Sequence, residues 1–144
     1  IGAGAAVSAQ AIVIALNRLD SAGADPRAQA AAARVKDIAE PLEILRQLGG
    51  RETAAAVGAI VAARVQRTPV LLDGPAALSA AAILDALSPG AVSHCRAADA
   101  DAFGLGGVLD APPVLDVAIA EGEGSAGVLA LGLVRAACSL VGAP

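Results

Sequence analysis

Thr68-Pro-Val-Leu-Leu-Asp-Gly-Pro-Ala-Ala-Leu-Ser-Ala-Ala-Ala-Ile-Leu-Asp-Ala-Leu87 is the stretch from which the fold is read. It opens with a short apolar run bounded by Pro69 and by Asp73-Gly74-Pro75, the pattern of a strand buried on both faces of a parallel sheet. A Pro suits the first turn of a helix, so a helix runs from about Pro75 to Leu87, where Ser88-Pro89-Gly90 stops it. Strand followed directly by helix is half of a βαβ unit.

Downstream the alternation continues. Ala91 to Cys95 is a second short strand, Asp99 to Val108 a weaker helix interrupted by Gly104, Gly106 and Gly107, and Val114 to Ile119 a third strand after Pro112-Pro113. The Gly-rich loop Glu121 to Gly127 then leads into a last helix, Ser125 to about Val141. Strands alternating with helices through right-handed crossovers make a parallel sheet with helices packed on it, a Rossmann-like three-layer α/β arrangement. Upstream, the N-terminal third is helical. One helix covers residues 5 to 19. A second starts at Pro26 behind the N-cap Asp25 and runs to about Ala39, a third runs from Pro41 to the Gly49-Gly50 pair, and a fourth covers 51 to 67. The 144 residues read as a single α/β domain spanning 1–144.

Composition narrows the function. Hydrophobic residues make up 56% of the chain, yet Phe103 is its one aromatic, so the core is built from Ala, Val, Leu and Ile. The net charge of -4, without a basic cluster, argues against nucleic acid as a partner, and base stacking has a single ring to use. No apolar run reaches the ~18–20 residues that span a bilayer, and no charged leader precedes the richest stretch, Ala9 to Leu16. Cys95 and Cys138 form no CxxC pair and His94 stands alone, which is too few ligands for a usual zinc site. Neither a metal nor a cofactor is expected, and two reduced core cysteines fit a cytoplasmic protein.

Ligands of parallel sheets bind beyond the C-terminal ends of the strands. Three loops are expected there: Asp73-Gly74, Ser93-His94 and Glu121 to Gly127. In the third, Gly122, Gly124 and Gly127 permit close backbone approach to a ligand. Ser125 sits where a helix begins, with free N–H groups and a hydroxyl suited to a phosphate. Glu123, between two glycines, is a carboxylate that can accept a proton. By spacing alone this is a generic anion loop with a carboxylate, Glu123, between two of its glycines, and a solvated carboxylate is the plainer reading. Asp73 is placed either to meet a ribose or to cap the helix that follows it. His94 reads as a structural histidine.

Asp116-Val-Ala-Ile-Ala-Glu-Gly-Glu-Gly-Ser-Ala-Gly127 resembles the signature of the nicotinate-nucleotide:5,6-dimethylbenzimidazole phosphoribosyltransferases. Leu42-Glu-Ile-Leu-Arg-Gln-Leu-Gly-Gly50, Thr68-Pro-Val-Leu-Leu-Asp-Gly74 and Ser93-His94 resemble further segments of that family, in the same order. The resemblance covers nearly the whole chain but only the later part of a full member. It implies transfer of the phosphoribosyl group of nicotinate mononucleotide to a benzimidazole base, giving α-ribazole 5′-phosphate and nicotinate in assembly of the cobalamin lower ligand. It also implies a homodimer acting on small molecules. Glu123 then takes the place of the general base. Gly122, Gly124 and Ser125 become substrate contacts, joined by Ser93, by Asp73, by Lys36 where the family carries a basic residue, and by Gly2 in the Ile1-Gly-Ala-Gly-Ala5 stretch that stands for a family I-G-N-T-T. Two departures are plain: Ala120-Glu121 replaces Arg-Leu, and Ala126-Gly127 reverses Gly-Ala. The alternative is a degenerate or truncated homologue that keeps the fold as a non-catalytic nucleotide-binding or subunit domain.

Overall fold

The computed structural model describes residues 3–100, 105, 109, 112–119 and 124–142. Its elements are α1 (Ala3–Ala15), α2 (Pro26–Ala33), α3 (Pro41–Leu48), α4 (Arg51–Val65), β1 (Val70–Leu72), α5 (Pro75–Leu87), β2 (Cys95–Ala97) and α6 (Ser125–Leu140). β1, α5 and β2 form the βαβ unit, with the strands parallel and Val70, Leu71 and Leu72 opposite Cys95, Arg96 and Ala97.

The period of two along β1 sorts its side chains between two layers. Val70 and Leu72 pack with Ile60 of α4, Leu78 of α5 and Val13 of α1. Leu71 joins Ala126 and Ala130 of α6 on the other face. The sheet therefore lies between a helical layer formed by α1, α4 and α5 and a second layer formed by α6. Within the first layer, α1 and α4 both pack against α5. They can approach closely because α5 presents Ala80, Ala81 and Ala82, all fully buried. An Ala methyl contributes only about 0.8 kcal/mol on burial, so the larger anchors matter more. Ile12, Ile44 and Ile83 interlock α1, α3 and α5 in a second cluster.

Local chemistry sets the ends of the helices. The Asp25 carboxylate accepts the Arg27 N–H at 2.8 Å and caps α2. α1 stops at Ala15 rather than near residue 19, because Asn17 adopts φ 56°. The Arg18 N–H then reaches back to the Val13 carbonyl at 3.0 Å and the Asn17 N–H to that of Ile14 at 2.9 Å, a Schellman closure. Arg67 closes α4 in the same way, with the Thr68 N–H donating to the Ala63 carbonyl. α2 ends at Ala33, short of Ala39, since residues 34–37 tighten into turns that bury Val35 and bring Ile38 to Ile12 and Ile44.

Two expectations about strands are corrected. The second strand is not Ala91 to Cys95: residues 91–94 form turns, and β2 begins at Cys95. Backbone hydrogen bonds from Ala91 to Ser88 (2.9 Å), Ser93 to Gly90 (3.1 Å) and Cys95 to Val92 (2.8 Å) close these turns, and the Arg64 guanidinium braces them by donating to the carbonyls of Gly90 (3.2 Å) and Ala91 (2.9 Å). Of the third strand, Val114 to Ile119, only a parallel bridge remains, pairing Leu115 with Asp99. The extension ends at Ala118, whose φ of 54° no strand contains. Asp99, expected to open a helix, pairs in this bridge instead; residues 101–104 and 106–108 of that expected helix lie outside the described residues.

Candidate active site

The edge of the sheet beyond the C-terminal ends of β1 and β2 gathers three polar features. First, Asp73 follows β1, and its Oδ2 accepts the backbone N–H of Gly127, in the first turn of α6, at 2.9 Å. A carboxylate there satisfies one of the helix's unpaired donors and faces the positive end of its dipole. The helix that Asp73 caps is thus α6, 54 residues on; α5 begins at Gly74 with no side-chain cap.

Second, α6 starts from Gly124, whose φ of 91° is open to glycine at little cost. Ser125 opens the helix with its Oγ buried and without a hydrogen-bond partner. A buried hydroxyl left unpaired costs free energy that a ligand oxygen would recover. The N–H groups of Ser125 and Ala126, at the first two helical positions, have no intrahelical acceptor either.

Third, Asp99 stands two residues past β2. Its carboxylate accepts the N–H groups of Ala100 (2.8 Å), Val117 (2.9 Å) and Ile119 (2.6 Å). Partial desolvation pushes this carboxyl up, but the N–H groups of Val117, Ile119, Ala100 and Ala118 together outweigh it and hold the group below its usual range. Sequence reasoning missed this residue. The signal was present, an aspartate just past a strand as at Asp73, but placing β2 four residues early put Asp99 into a helix.

The other sequence-derived candidates lie elsewhere. With β2 starting at Cys95, Ser93 and His94 precede the strand and sit at the opposite edge of the sheet. The Ser93 hydroxyl is 3.1 Å from the Arg64 guanidinium. His94 has its Nε2 3.1 Å from the Ile60 carbonyl, which can only accept, so Nε2 carries the proton and the ring is tied to α4. Lys36 is also remote from Asp73 and Ser125. It lines an open cavity of about 620 Å³ with Ala15, Asn17 and Pro26, and a smaller one with Asn17 and Ala86. Ala86 is at the C-terminal end of α5, which the Arg18–Asp85 ion pair at 2.8 Å fastens to the end of α1. α5 leaves the C-terminal end of β1 and returns to the start of β2, so its far end is about 20 Å from Asp73 at 1.5 Å per residue.

The structure therefore brings Asp73, Gly124 and Ser125 together, adds Asp99, and leaves Ser93 and Lys36 at the far edge. Glu123, Gly122 and Gly2 lie outside the described residues. Burial raises the Cys95 thiol above its usual range, and its side chain belongs to the core. Among the described residues no group of three His, Cys, Asp or Glu side chains could hold a metal, and no helix is long and apolar enough to cross a membrane.

Comparison with known proteins gives a consistent picture. A phosphoribosyltransferase family profile matches residues 3–143. The chain is 42% identical over 141 residues to a nicotinate-nucleotide–dimethylbenzimidazole phosphoribosyltransferase of Methylocella silvestris, covering 95% of this chain and 39% of that protein. With the enzyme of the same name from Rhizobium rhizogenes the identity is 44% over 115 residues, 77% of this chain and 34% of the relative. The crystal structure of the Thermus thermophilus enzyme superposes with a TM-score of 0.79 at 26% identity, over 99% of this chain and 47% of that one. The chain thus spans less than half the length of each of these proteins.

Proposed function

The chain belongs to the phosphoribosyltransferase family whose profile matches it, and from that premise we propose that the intact protein transfers the phosphoribosyl group of nicotinate mononucleotide to 5,6-dimethylbenzimidazole, in assembly of the cobalamin lower ligand. In this reading a ring nitrogen of the benzimidazole attacks the anomeric carbon. The bond from that carbon to the pyridinium nitrogen breaks, and its electron pair neutralises the departing nicotinate. The benzimidazole N–H proton passes to Glu123. A carboxylate near the anomeric carbon also stabilises the oxocarbenium-like charge of the transition state.

The observation that carries the reading is the buried, unpartnered Ser125 hydroxyl at the start of α6, at the strand-end edge, next in sequence to the Gly-Glu-Gly segment. With the N–H groups of Ser125 and Ala126 it supplies three donors for the phosphate of nicotinate mononucleotide, with Gly122 and Gly124 letting the ligand approach the backbone. The Asp73 carboxylate already holds the Gly127 N–H, which removes that donor from the phosphate. Lys36 and Ser93, at the far edge, have no part in this assignment, while Gly2 remains in it through the family resemblance alone. The reading includes a cytoplasmic homodimer, supported for the dimer by the exposed Val128, Leu129 and Leu133 on α6.

The test is direct. The intact protein, given nicotinate mononucleotide and dimethylbenzimidazole, releases nicotinate and forms α-ribazole 5′-phosphate in equal amounts by chromatography. The departures at Ala120-Glu121 favour the second reading, a non-catalytic homologue, which predicts that nicotinate mononucleotide binds without nicotinate release.

A further inference from the structure

β1 has the composition of an interior strand and the position of an edge strand. Val70-Leu71-Leu72 is wholly apolar, as in parallel sheets covered on both faces. Yet β2 is its only neighbour among the described residues. The Val70 N–H donates to the His94 carbonyl at 3.0 Å, and the Leu72 carbonyl accepts the Ala98 N–H at 2.8 Å. Strand alternation therefore turns the N–H and C=O of Leu71 to the open side, where β1 has no charged side chain to guard them.

α6 is incomplete in the same way one layer up. It packs on β1, and Arg135 is the one charged side chain between Ser125 and Leu140. A helix apolar on all sides is normally enclosed. Ala126, Ala130, Val134, Ala137 and Val141 follow one another at helical spacing along a single face. The first two are buried in the cluster that includes Leu71, whereas Val134 is 37% exposed and Val141 78%. The 16 residues of α6 extend about 24 Å and the three of β1 about 10 Å, so this face outruns the sheet beneath it. Val128 and Leu129 lie on other faces of the helix. In the opposite layer α4, which leads into β1, likewise leaves Val61 and Val65 exposed one turn apart.

The chain spans 39% of the Methylocella silvestris enzyme and 47% of the Thermus thermophilus one. More than half of a polypeptide of that length therefore lies outside this body and needs a surface to fold against. We propose that the open edge of β1 and the uncovered face of α6 form one docking surface for a β-strand from the rest of the intact polypeptide. The strand pairs with Leu71 through its backbone and sets apolar side chains against Val134 and Val141. One of its ends then falls beside Asp73, so it also adds residues to the edge where Ser125 lies. The inference rests on family membership and not on the proposed reaction.

The test uses the intact protein carrying the photo-crosslinker p-benzoylphenylalanine, as Val134→p-benzoylphenylalanine and, separately, Val141→p-benzoylphenylalanine. Hydrogen exchange resolved to single amides is measured beside them on the unsubstituted protein, which needs no variant to fold. Irradiation is expected to give an adduct that runs at monomer mass on a denaturing gel and, after digestion, joins α6 to a peptide from outside residues 1–144. The Leu71 amide is expected to exchange about 10²-fold or more slowly than an exposed loop amide such as that of Gly23, after correction for intrinsic rates. An adduct at twice the monomer mass would mean that a second copy occupies the face, and overturns the inference. An adduct confined to residues 1–144, no adduct at either position, or a Leu71 amide that exchanges as fast as Gly23 overturns it as well.

Discussion

Removing the Asp73 carboxylate should loosen the first turn of α6 by an amount that can be worked from its contacts. Its Oδ2 takes the Gly127 N–H at 2.9 Å, where no intrahelical acceptor exists. Loss of a side-chain cap of this kind costs about 1 kcal/mol, within roughly 0.5–2. The charge also faces the helix dipole, which adds about 0.3–1 kcal/mol. Asp73→Ala should therefore lower the local opening free energy of α6 by about 1–2 kcal/mol, a factor of roughly 5–30 in the open population. Hydrogen exchange read by mass spectrometry measures this in peptides covering residues 124–130, with peptides from α5 as the internal reference. Asp73→Asn keeps an acceptor oxygen and loses only the charge, so its exchange should speed up by no more than about 5-fold, and added salt should narrow its gap to the parent. Exchange in 124–130 that is unchanged in Asp73→Ala, or accelerated equally in α5, would refute this account of how α6 is anchored.

Three further outcomes follow from the packing and titration. Ile83 is fully buried against Ile12 and Ile44, so Ile83→Ala should cost about 2–5 kcal/mol, read as a lower denaturant midpoint at unchanged m-value; a loss below about 1 kcal/mol would contradict the packing. Of the two cysteines, Cys95 is buried with its thiol pushed up and Cys138 is half-exposed, so a thiol reagent should titrate one group quickly in the native protein and the second only on unfolding. Hydrogen bonds from Arg46 and then Gln47 hold the Glu43 carboxyl down from 4.5 to about 2, and Asp99 is also depressed. A depressed folded pKa gives stability that is complete above the unfolded value and lost as pH falls through the folded one. Denaturant midpoints should thus hold above about pH 5 and fall between about pH 4.5 and about pH 2, with Glu43→Gln and Asp99→Asn flattening that fall. A midpoint independent of pH across that window would count against both interactions.

The sequence was most legible where punctuation and hydrophobic pattern agreed. Pro26 behind Asp25, Pro41, the Gly49-Gly50 pair and Pro75 mark helix ends correctly, and the run at Val70 to Leu72 between Pro69 and Asp73 marks β1. The α/β class with helices on both faces of a parallel sheet followed from that alternation. β2 was misplaced because its three residues, Cys95-Arg96-Ala97, are too short a run, with a charge at its centre, to read as a strand, and because Arg64, 27 residues from Ala91 in sequence, braces the carbonyls of the preceding turn. Such a contact leaves no trace in local propensity. The site inherited the error. Moving the strand by four residues exchanges the edge on which Ser93 and His94 lie, and it exposes Asp99 as the strand-end residue in their place. Lys36 could not be located from sequence because its position depends on α1 ending at the Asn17 turn and on the Arg18–Asp85 ion pair.

The measurement that bears most directly on the account is turnover of nicotinate mononucleotide and dimethylbenzimidazole by the intact protein with Glu123→Gln. Gln keeps the size and polarity of the side chain but cannot take the benzimidazole proton. A general base contributes about 10²–10⁴-fold, so kcat should fall by that much while nicotinate mononucleotide still binds with parental affinity. Turnover within about 2-fold of the parent would contradict Glu123 as the proton acceptor, and with it the assignment of the Gly-Glu-Gly-Ser loop as the catalytic centre.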